Sequence, residues 1–237
     1  MDGNQFNWKG RLGPMELLVS GSTFTPSTIT TIMANDLTIN SGESVIDVGC
    51  GSGILSIIAA KLGAGSVIGI DQSPDVVDVG NHNAENLGVA DRVRFYQGDL
   101  FSPIPADLRV DVIIGDVSGI PDTLANYSGW FPSGKGGGTR GCELPIRMLT
   151  DAAAHLKDEG RIYLPTGTLQ DENRILEAAR SMYRNVSMLA ERKIPFPTEF
   201  AESDVVRDLI EAGTISITTR GTRYLWIGRA WLISEPF

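Results

Sequence analysis

The chain has 237 residues, of which 42% are hydrophobic, and this size and composition suit one α/β domain with some additions. The formal net charge is −9, so no broad basic face for a nucleic-acid backbone is expected. Two cysteines are too few for a disulfide framework, and no metal site is expected. With no signal peptide and no apolar run of ~18–20 residues, the expected location is the cytoplasm, without membrane association.

The first part of the chain is predicted to be an N-terminal extension, residues 1–40, followed by the main domain, residues 41–237. The extension is polar and glycine-rich, with a possible strand at 15–20. Apolar residues at helical spacing then predict a helix from Ser27 to about Leu37, and the serine is suited to cap it. The extension therefore leads into the domain through one short helix.

The stretch Val45–Leu55 reads Val-Ile-Asp-Val-Gly-Cys-Gly-Ser-Gly-Ile-Leu. It predicts a buried strand at 44–48, a tight turn and a helix at 54–62. Glycine has no Cβ, so it permits a turn with positive φ and the close approach of a ligand. The helix N-terminus adds free N–H groups that suit an anion. A dinucleotide fold would need its third glycine at position 54, which is Ile54 here.

Strands and helices alternate through the rest of the chain, which predicts a parallel sheet with right-handed crossovers. The last strand is expected to be antiparallel. The predicted strands are 66–70, 93–96, 110–114, 161–164, 186–192, 214–218 and 224–233, and the predicted helices are 73–87, 145–156, 171–183 and 203–210, the first of them capped by Ser73 before Pro74.

Four aspartates stand at or just after the carboxyl ends of predicted strands: Asp47, Asp71, Asp99 and Asp116. In a parallel sheet, ligands bind beyond these ends, where the strand order changes direction. Asp71 follows Gly51 by 20 residues, a spacing at which a carboxylate can accept both hydroxyls of a ribose. The alternative is structural, because an aspartate can also hold a turn or cap a helix.

The order acid-x-Gly-x-Gly-x-Gly, from Asp47 to Gly53, resembles motif I of the class I S-adenosylmethionine-dependent methyltransferases. The resemblance covers roughly residues 23–183. It implies a Rossmann-like, doubly wound α/β fold with a mostly parallel seven-stranded sheet and an antiparallel last strand. It also implies S-adenosyl-L-methionine as the cofactor. The cofactor-binding residues that it implies are Phe24, Pro26, Asp47, Gly49, Cys50, Gly51, Gly53, Asp71, Gln72, Gly98, Asp99, Leu100 and Asp116.

Three further features resemble the glutamine-amide methyltransferases of release factors: the segments 24–27 and 137–141, and Gln170. Those enzymes carry Asn-Pro-Pro-Tyr after the fourth strand, where this chain has Asp116-Val117-Ser118-Gly119. The two prolines stiffen a turn that aims carbonyl groups at an N–H donor, so their absence indicates a different acceptor. Asp116 is the candidate catalytic residue, and its alternative role is contact with the methionine end of the cofactor.

Two long segments are expected to border the same rim of the sheet. Residues 117–144 contain the glycine run 134–138 and are predicted to form a mobile lid loop. Residues 195–220 form an insertion between the last two core strands. Aromatic residues in these segments are candidates for acceptor binding, and the alternative is a satellite core. The candidates are Tyr127, Trp130, Phe131 and Phe196.

The predicted activity is methyl transfer to a small molecule or a protein side chain by in-line displacement. Transfer needs a well-placed nucleophile more than a catalytic triad, and a base only if the acceptor must lose a proton. Nucleic-acid acceptors are not expected. Two other hypotheses stay open: a non-catalytic cofactor-binding partner protein and an NAD-dependent oxidoreductase. The methylated atom, whether N, O, C or S, and the oligomeric state are left open.

Overall fold

The core of the molecule is a sheet of eight strands with helices on both faces. The structure is a computed structural model and describes residues 3–237. A separate hairpin precedes the sheet. The strands are β1 (Gly3–Trp8), β2 (Met15–Ser20), β3 (Ser44–Val48), β4 (Ser66–Asp71), β5 (Val93–Gln97), β6 (Val110–Gly115), β7 (Leu156–Gly167), β8 (Tyr183–Phe196), β9 (Thr218–Arg220) and β10 (Arg223–Pro236). The helices are α1 (Thr28–Asp36), α2 (Ile54–Lys61), α3 (Val76–Asn86), α4 (Asp122–Ser128), α5 (Glu143–His155), α6 (Glu172–Met182), α7 (Thr198–Ala201) and α8 (Asp204–Glu211).

The strand order of the main sheet is β5-β4-β3-β6-β7-β10-β8, and β9 adds an eighth strand on β10. β3 to β7 are parallel, whereas β10 is antiparallel to β7, β8 and β9. The predicted mostly parallel sheet with an antiparallel last strand is therefore confirmed, with β9 added to the expected seven strands. The order reverses between β3 and β6, where a ligand site is expected.

Alternate residues of β3 serve the two faces of the sheet. Val45 belongs to the core under α1, α2 and α3, whereas Ile46 and Val48 belong to the core under α5 and α6. This alternation, with a period of two, fills both faces of a central parallel strand with β-branched side chains. It also turns Asp47 toward α2, together with Val45.

Two predicted elements differ from the structure near the site. The helix expected to start at Ser73-Pro74 starts at Val76, and the Ser73 hydroxyl instead accepts a hydrogen bond from the Asp75 N–H. The expected lid loop contains a helix, α4. Its glycine run is bonded to the start of this helix, because Gly136 N–H donates to the Asp122 carboxylate at 2.8 Å. The 117–144 segment is thus a folded wall over much of its length.

A third group of apolar residues, which we call the satellite core, joins α4 to the insertion after β8. Its buried members are Ile120, Leu124, Ala125, Leu169, Phe196, Val206 and Ile215. The satellite core packs beside the main sheet, and Trp130, Phe131 and Trp226 pack against it. Within residues 3–237, no helix is both long and apolar enough to cross a membrane.

Candidate functional site

A cavity of about 1580 Å³ opens at the carboxyl ends of the parallel strands. The predicted residues on its wall are Phe24, Gly49, Asp71, Gln72, Gly98, Asp99, Leu100, Asp116, Trp130 and Phe131. Pro26, Cys50 and Gly51 line a narrow pocket that shares Phe24, Gly49 and Asp116 with it. Asp47, Gly53, Tyr127 and Phe196 line neither space. The fold thus brings most of the predicted cofactor residues to one place.

The glycine loop between β3 and α2 needs its glycines for two reasons. Gly49, Gly51 and Gly53 have φ angles of 80°, 52° and 83°, where residues with a Cβ are strained. A Cβ on Gly49 would also lie 2.5 Å from the Asp116 carbonyl oxygen, and one on Gly51 would lie 3.2 Å from the Phe24 oxygen. No side chain caps α2 at Gly53, so the helix N-terminus keeps N–H groups for an anion.

Asp47 lies beneath this loop and is fully buried. Its Oδ2 accepts a hydrogen bond of 2.6 Å from the Ser56 hydroxyl of α2, and its Oδ1 has no partner among the described residues. Burial raises the pKa of Asp47 to about 7. The alternation of β3 turns this carboxylate toward α2, so it lines neither cavity and lies beneath the glycine loop. Its part in cofactor binding stays a prediction.

The Asp71 carboxylate suits both predicted roles, ligand binding and support of a turn. It lies on the cavity wall, and its two oxygens accept hydrogen bonds from Gly51 N–H at 2.9 Å and Ser73 N–H at 2.8 Å. A carboxylate has about four lone-pair positions, so two remain for the hydroxyl groups of a ligand. The same group therefore orders the glycine loop and faces the cavity.

Asp99 is held by two donors at the rim of the cavity. Gln72 Nε2 and Arg147 Nη2 each donate to Asp99 Oδ1 at 2.7 Å. Arg147 lies on α5, and its position on the cavity wall was not predicted, because nothing in the helical pattern of α5 indicates which neighbouring strand end it reaches. Gln72 and Arg147 together hold the Asp99 carboxylate at the cavity rim, beside Gly98 and Leu100.

Asp116 stands just after β6, beside the glycine loop. It accepts a hydrogen bond of 3.3 Å from the Thr30 hydroxyl of α1, a partner that sequence reasoning missed. Limited contact with water, aided by the negative charge of Asp71, raises the pKa of Asp116 to about 6. A carboxyl group with such a pKa gains and loses its proton close to neutral pH, and Asp116 has no cationic partner among the described residues. It can hold a cationic group or take up a proton.

The four predicted acceptor-binding aromatics divide into two pairs. Trp130 and Phe131 lie on the cavity wall, and the Phe131 ring stacks on Phe24 with 5.1 Å between the ring centroids. Tyr127 instead meets Phe200 edge to face at 5.7 Å, and Phe196 is only 4% exposed inside the satellite core. Phe196 thus belongs to the satellite core, and neither it nor Tyr127 lines the cavity. Acceptor contact by these two residues stays a prediction.

Comparison with known proteins shows the family to which the chain belongs. A family model described as a methyltransferase domain matches residues 39–204, which is more than half of the chain. The chain therefore belongs to this methyltransferase family, and the predicted class I S-adenosylmethionine-dependent type is confirmed.

Individual relatives match more narrowly. A ribosomal protein L11 methyltransferase of Haemophilus influenzae (strain PittEE) is 48% identical over 75 residues, which is 32% of this chain and 24% of that protein. One from Actinobacillus pleuropneumoniae is 41% identical over 100 residues, covering 42% and 33% of the two chains. The matched part is thus at most about a third of these two relatives.

Solved structures share the fold. The ribosomal protein L11 methylase of Lactobacillus delbrueckii subsp. bulgaricus has a TM-score of 0.56 at 20% identity, with 90% of this chain and 82% of that chain covered. A tRNA m1G37 methyltransferase of M. jannaschii has a TM-score of 0.58 at 13% identity, covering 99% and 56%. At these identities the likeness concerns the fold alone.

Proposed function

We propose that the protein transfers a methyl group from S-adenosylmethionine to an amine nitrogen on a protein side chain. The observation that carries the proposal is Asp116, a carboxylate on the cavity wall beside the glycine loop, without a cationic partner among the described residues. An amine must be neutral to attack, and a carboxylate with a raised pKa can hold the ammonium form and accept its proton. The names of the ribosomal protein L11 relatives support a protein acceptor.

The residues around the glycine loop fit S-adenosylmethionine. Asp71 has acceptor positions for ribose hydroxyls, and the N-terminus of α2 suits a carboxylate. Leu100, with Gly98 and Asp99, offers an apolar and hydrogen-bonding edge for an adenine ring. When bound, this cofactor supplies an activated methyl group. The protein's own part is to hold the acceptor nitrogen in line with that methyl and to exclude water.

The size of the cavity supports a large acceptor. Typical small-ligand pockets measure roughly 300–1,000 Å³. The cavity of about 1580 Å³ exceeds this range, so a cofactor would leave space for a side chain and its flanking backbone. Trp130 and Trp226 supply part of the apolar wall of the cavity.

The test combines calorimetry with transfer of a tritiated methyl group. The wild-type protein should bind S-adenosylmethionine and its demethylated product but not NAD. It should label purified ribosomal protein L11 or another protein rather than bulk DNA or RNA. Asp116→Ala should lower the transfer rate at least about 100-fold, a typical contribution of acid–base catalysis, with cofactor affinity changed by less than about threefold.

Three other results would contradict this proposal. NAD binding without a response to either sulfur compound would favour an oxidoreductase. Cofactor binding with no labelling of proteins or free amines would favour a non-catalytic partner protein. Labelling of bulk nucleic acid that is lost in Asp116→Ala would contradict the protein acceptor.

A further inference from the structure

Gln170 is a buried amide on the wall of the cavity that the cofactor does not explain. It follows β7, is 9% exposed, and lines the cavity. Its Nε2 is sealed from solvent and donates to no partner among the described residues. An unsatisfied buried polar group shifts the folding equilibrium toward the unfolded state by about 5- to 150-fold. Such a group calls for a reason to be retained.

The backbone around Gln170 is firmly held. Asp171 N–H donates to the Arg140 carbonyl at 3.0 Å, and Arg140 Nε returns a hydrogen bond of 2.6 Å to the Asp171 carboxylate. Leu169, on the other side, is buried in the satellite core. The backbone that carries Gln170 is therefore fixed, so the missing hydrogen bond of its side chain is not the result of a loose loop.

Close packing shows where the carboxamide points. A Cβ on Gly119 would lie 2.4 Å from Gln170 Oε1, so the amide lies directly against this glycine. Gly119 follows Asp116 by three residues, and the Asp116 carbonyl in turn lies against Gly49 of the glycine loop. Gln170, Asp116 and the glycine loop thus follow the neighbouring strands β7, β6 and β3, with Asp116 in the middle.

We propose that Gln170 is a specificity-determining residue that holds the methyl acceptor. It is on the side of Asp116 opposite to the glycine loop, which is the acceptor side if the proposed function is right. An unpaired N–H donor selects an oxygen, and the oxygen common to every polypeptide is the peptide carbonyl. A rotation of the side chain turns Nε2 into the cavity, where it donates to a carbonyl of the acceptor chain beside the methylated residue.

The test compares two buried amides that differ in one respect. Asn83 is also fully buried, but its side chain bonds Leu18 N–H and the Leu18 and Ser52 carbonyls. Gln170→Met keeps the length of the side chain and removes an unpaired group, so its melting temperature should rise by about 2–8 °C. Asn83→Leu removes a satisfied group, so its melting temperature should fall.

Activity is measured on the same proteins with ribosomal protein L11 as the probe. Gln170→Met should bind S-adenosylmethionine within about twofold of wild type but raise KM for the protein acceptor about tenfold or more. Gly119→Ala should displace the amide and reproduce the raised KM with little change in melting temperature. Gln170→Asn, whose amide is one methylene shorter, should fall between wild type and Gln170→Met.

Two results would overturn the assignment. A lower melting temperature of Gln170→Met would make the residue structural, and an unchanged acceptor KM would remove it from recognition. If the wild-type protein labels no acceptor, the proposed function fails. The melting temperatures then decide alone. A higher melting temperature of Gln170→Met would support a ligand-binding role for the amide, and a lower one would contradict that role.

Discussion

The two ends of the parallel sheet use their acidic residues in opposite ways. At the amino-terminal end, Glu43 accepts two hydrogen bonds of 2.8 Å from Arg161, which hold the pKa of Glu43 at about 2. Asp111 there is partly buried, but hydrogen bonds from Lys157 and Ser44 outweigh that burial and hold its pKa at about 2. At the carboxyl end, burial without a cation raises the pKa of Asp47 to about 7 and of Asp116 to about 6.

The paired end thus stabilises the fold at neutral pH, and we infer that the unpaired acids at the carboxyl end are kept for ligand binding. An acid with a lowered pKa stabilises the fold above the unfolded value near 4, and this contribution is lost as the pH falls toward 2. An acid with a raised pKa works the other way, because its favourable contribution is complete below about pH 4 and is lost as the pH rises to 6–7. The charged site therefore lowers stability at neutral pH, and the paired end offsets that cost.

The largest effect is expected from Arg161→Met at the paired end. The change leaves Glu43, a largely buried carboxylate, without its cation. Removing one partner of a buried pair costs about 3–5 kcal/mol, and partial exposure should place this loss near the lower limit. Urea unfolding measures the loss, and cofactor affinity should stay unchanged. A loss below about 1 kcal/mol would contradict the stabilising role, and the double variant with Glu43→Gln isolates the pair itself.

Asp71→Asn should change both cofactor affinity and stability. The ribose bonds to a carboxylate are worth roughly 1.5–3 kcal/mol each, and with non-additivity we expect affinity to fall about 10- to 100-fold. Because Asp71 also accepts hydrogen bonds from the Gly51 and Ser73 N–H groups, we expect the apo protein to lose about 1 kcal/mol. Unchanged affinity in a folded variant would reject the ribose role.

Asp116→Asn should raise stability at neutral pH by about 1–2 kcal/mol, because it removes the cost of ionising a poorly hydrated carboxylate. The gain should vanish below about pH 4, where the wild-type carboxyl is protonated in both states. If Asp116 is the base, wild-type transfer activity should rise with pH around pH 6, and the variant should lose this rise. Unfolding curves from pH 4 to 8 measure the first effect, and any slope that remains up to about pH 7 belongs to Asp47. A variant less stable than wild type at pH 7 would contradict this account.

Lys157→Met should have the smallest effect. The lysine binds Asp111 at 2.8 Å, but both side chains are well exposed, at 47% and 28%. Exposed ion pairs contribute about 0–1 kcal/mol, so the loss should be a fraction of that caused by Arg161→Met. High salt should reduce it further. An equal loss of unfolding free energy in Lys157→Met and Arg161→Met would show that burial does not explain the difference between the two ion pairs.

The main sheet and the cofactor half of the site could be predicted because their signals are local. Glycine spacing, β-branched strands and strand-end aspartates placed Asp71, Asp99 and Asp116 on one cavity wall. The acceptor half could not be predicted in the same way. The short helix α4 follows Pro121 and has no side-chain cap that would mark its start. The sequence therefore could not show that Tyr127 and Trp130 point in different directions. The position of the Gln170 amide could not be predicted either, because the amide packs against Gly119, which is distant in sequence.

The satellite core has a consequence for how the molecule opens. It is a small group of apolar residues beside the sheet, held largely by α4, α8 and the segment after β7. Regions with few buried contacts exchange their amide hydrogens through local opening at a lower free energy than global unfolding. Amides of α4 and α8 should therefore exchange with solvent deuterium well before those of β3 and β6. The wall that surrounds an acceptor would then open while the cofactor cradle stays closed.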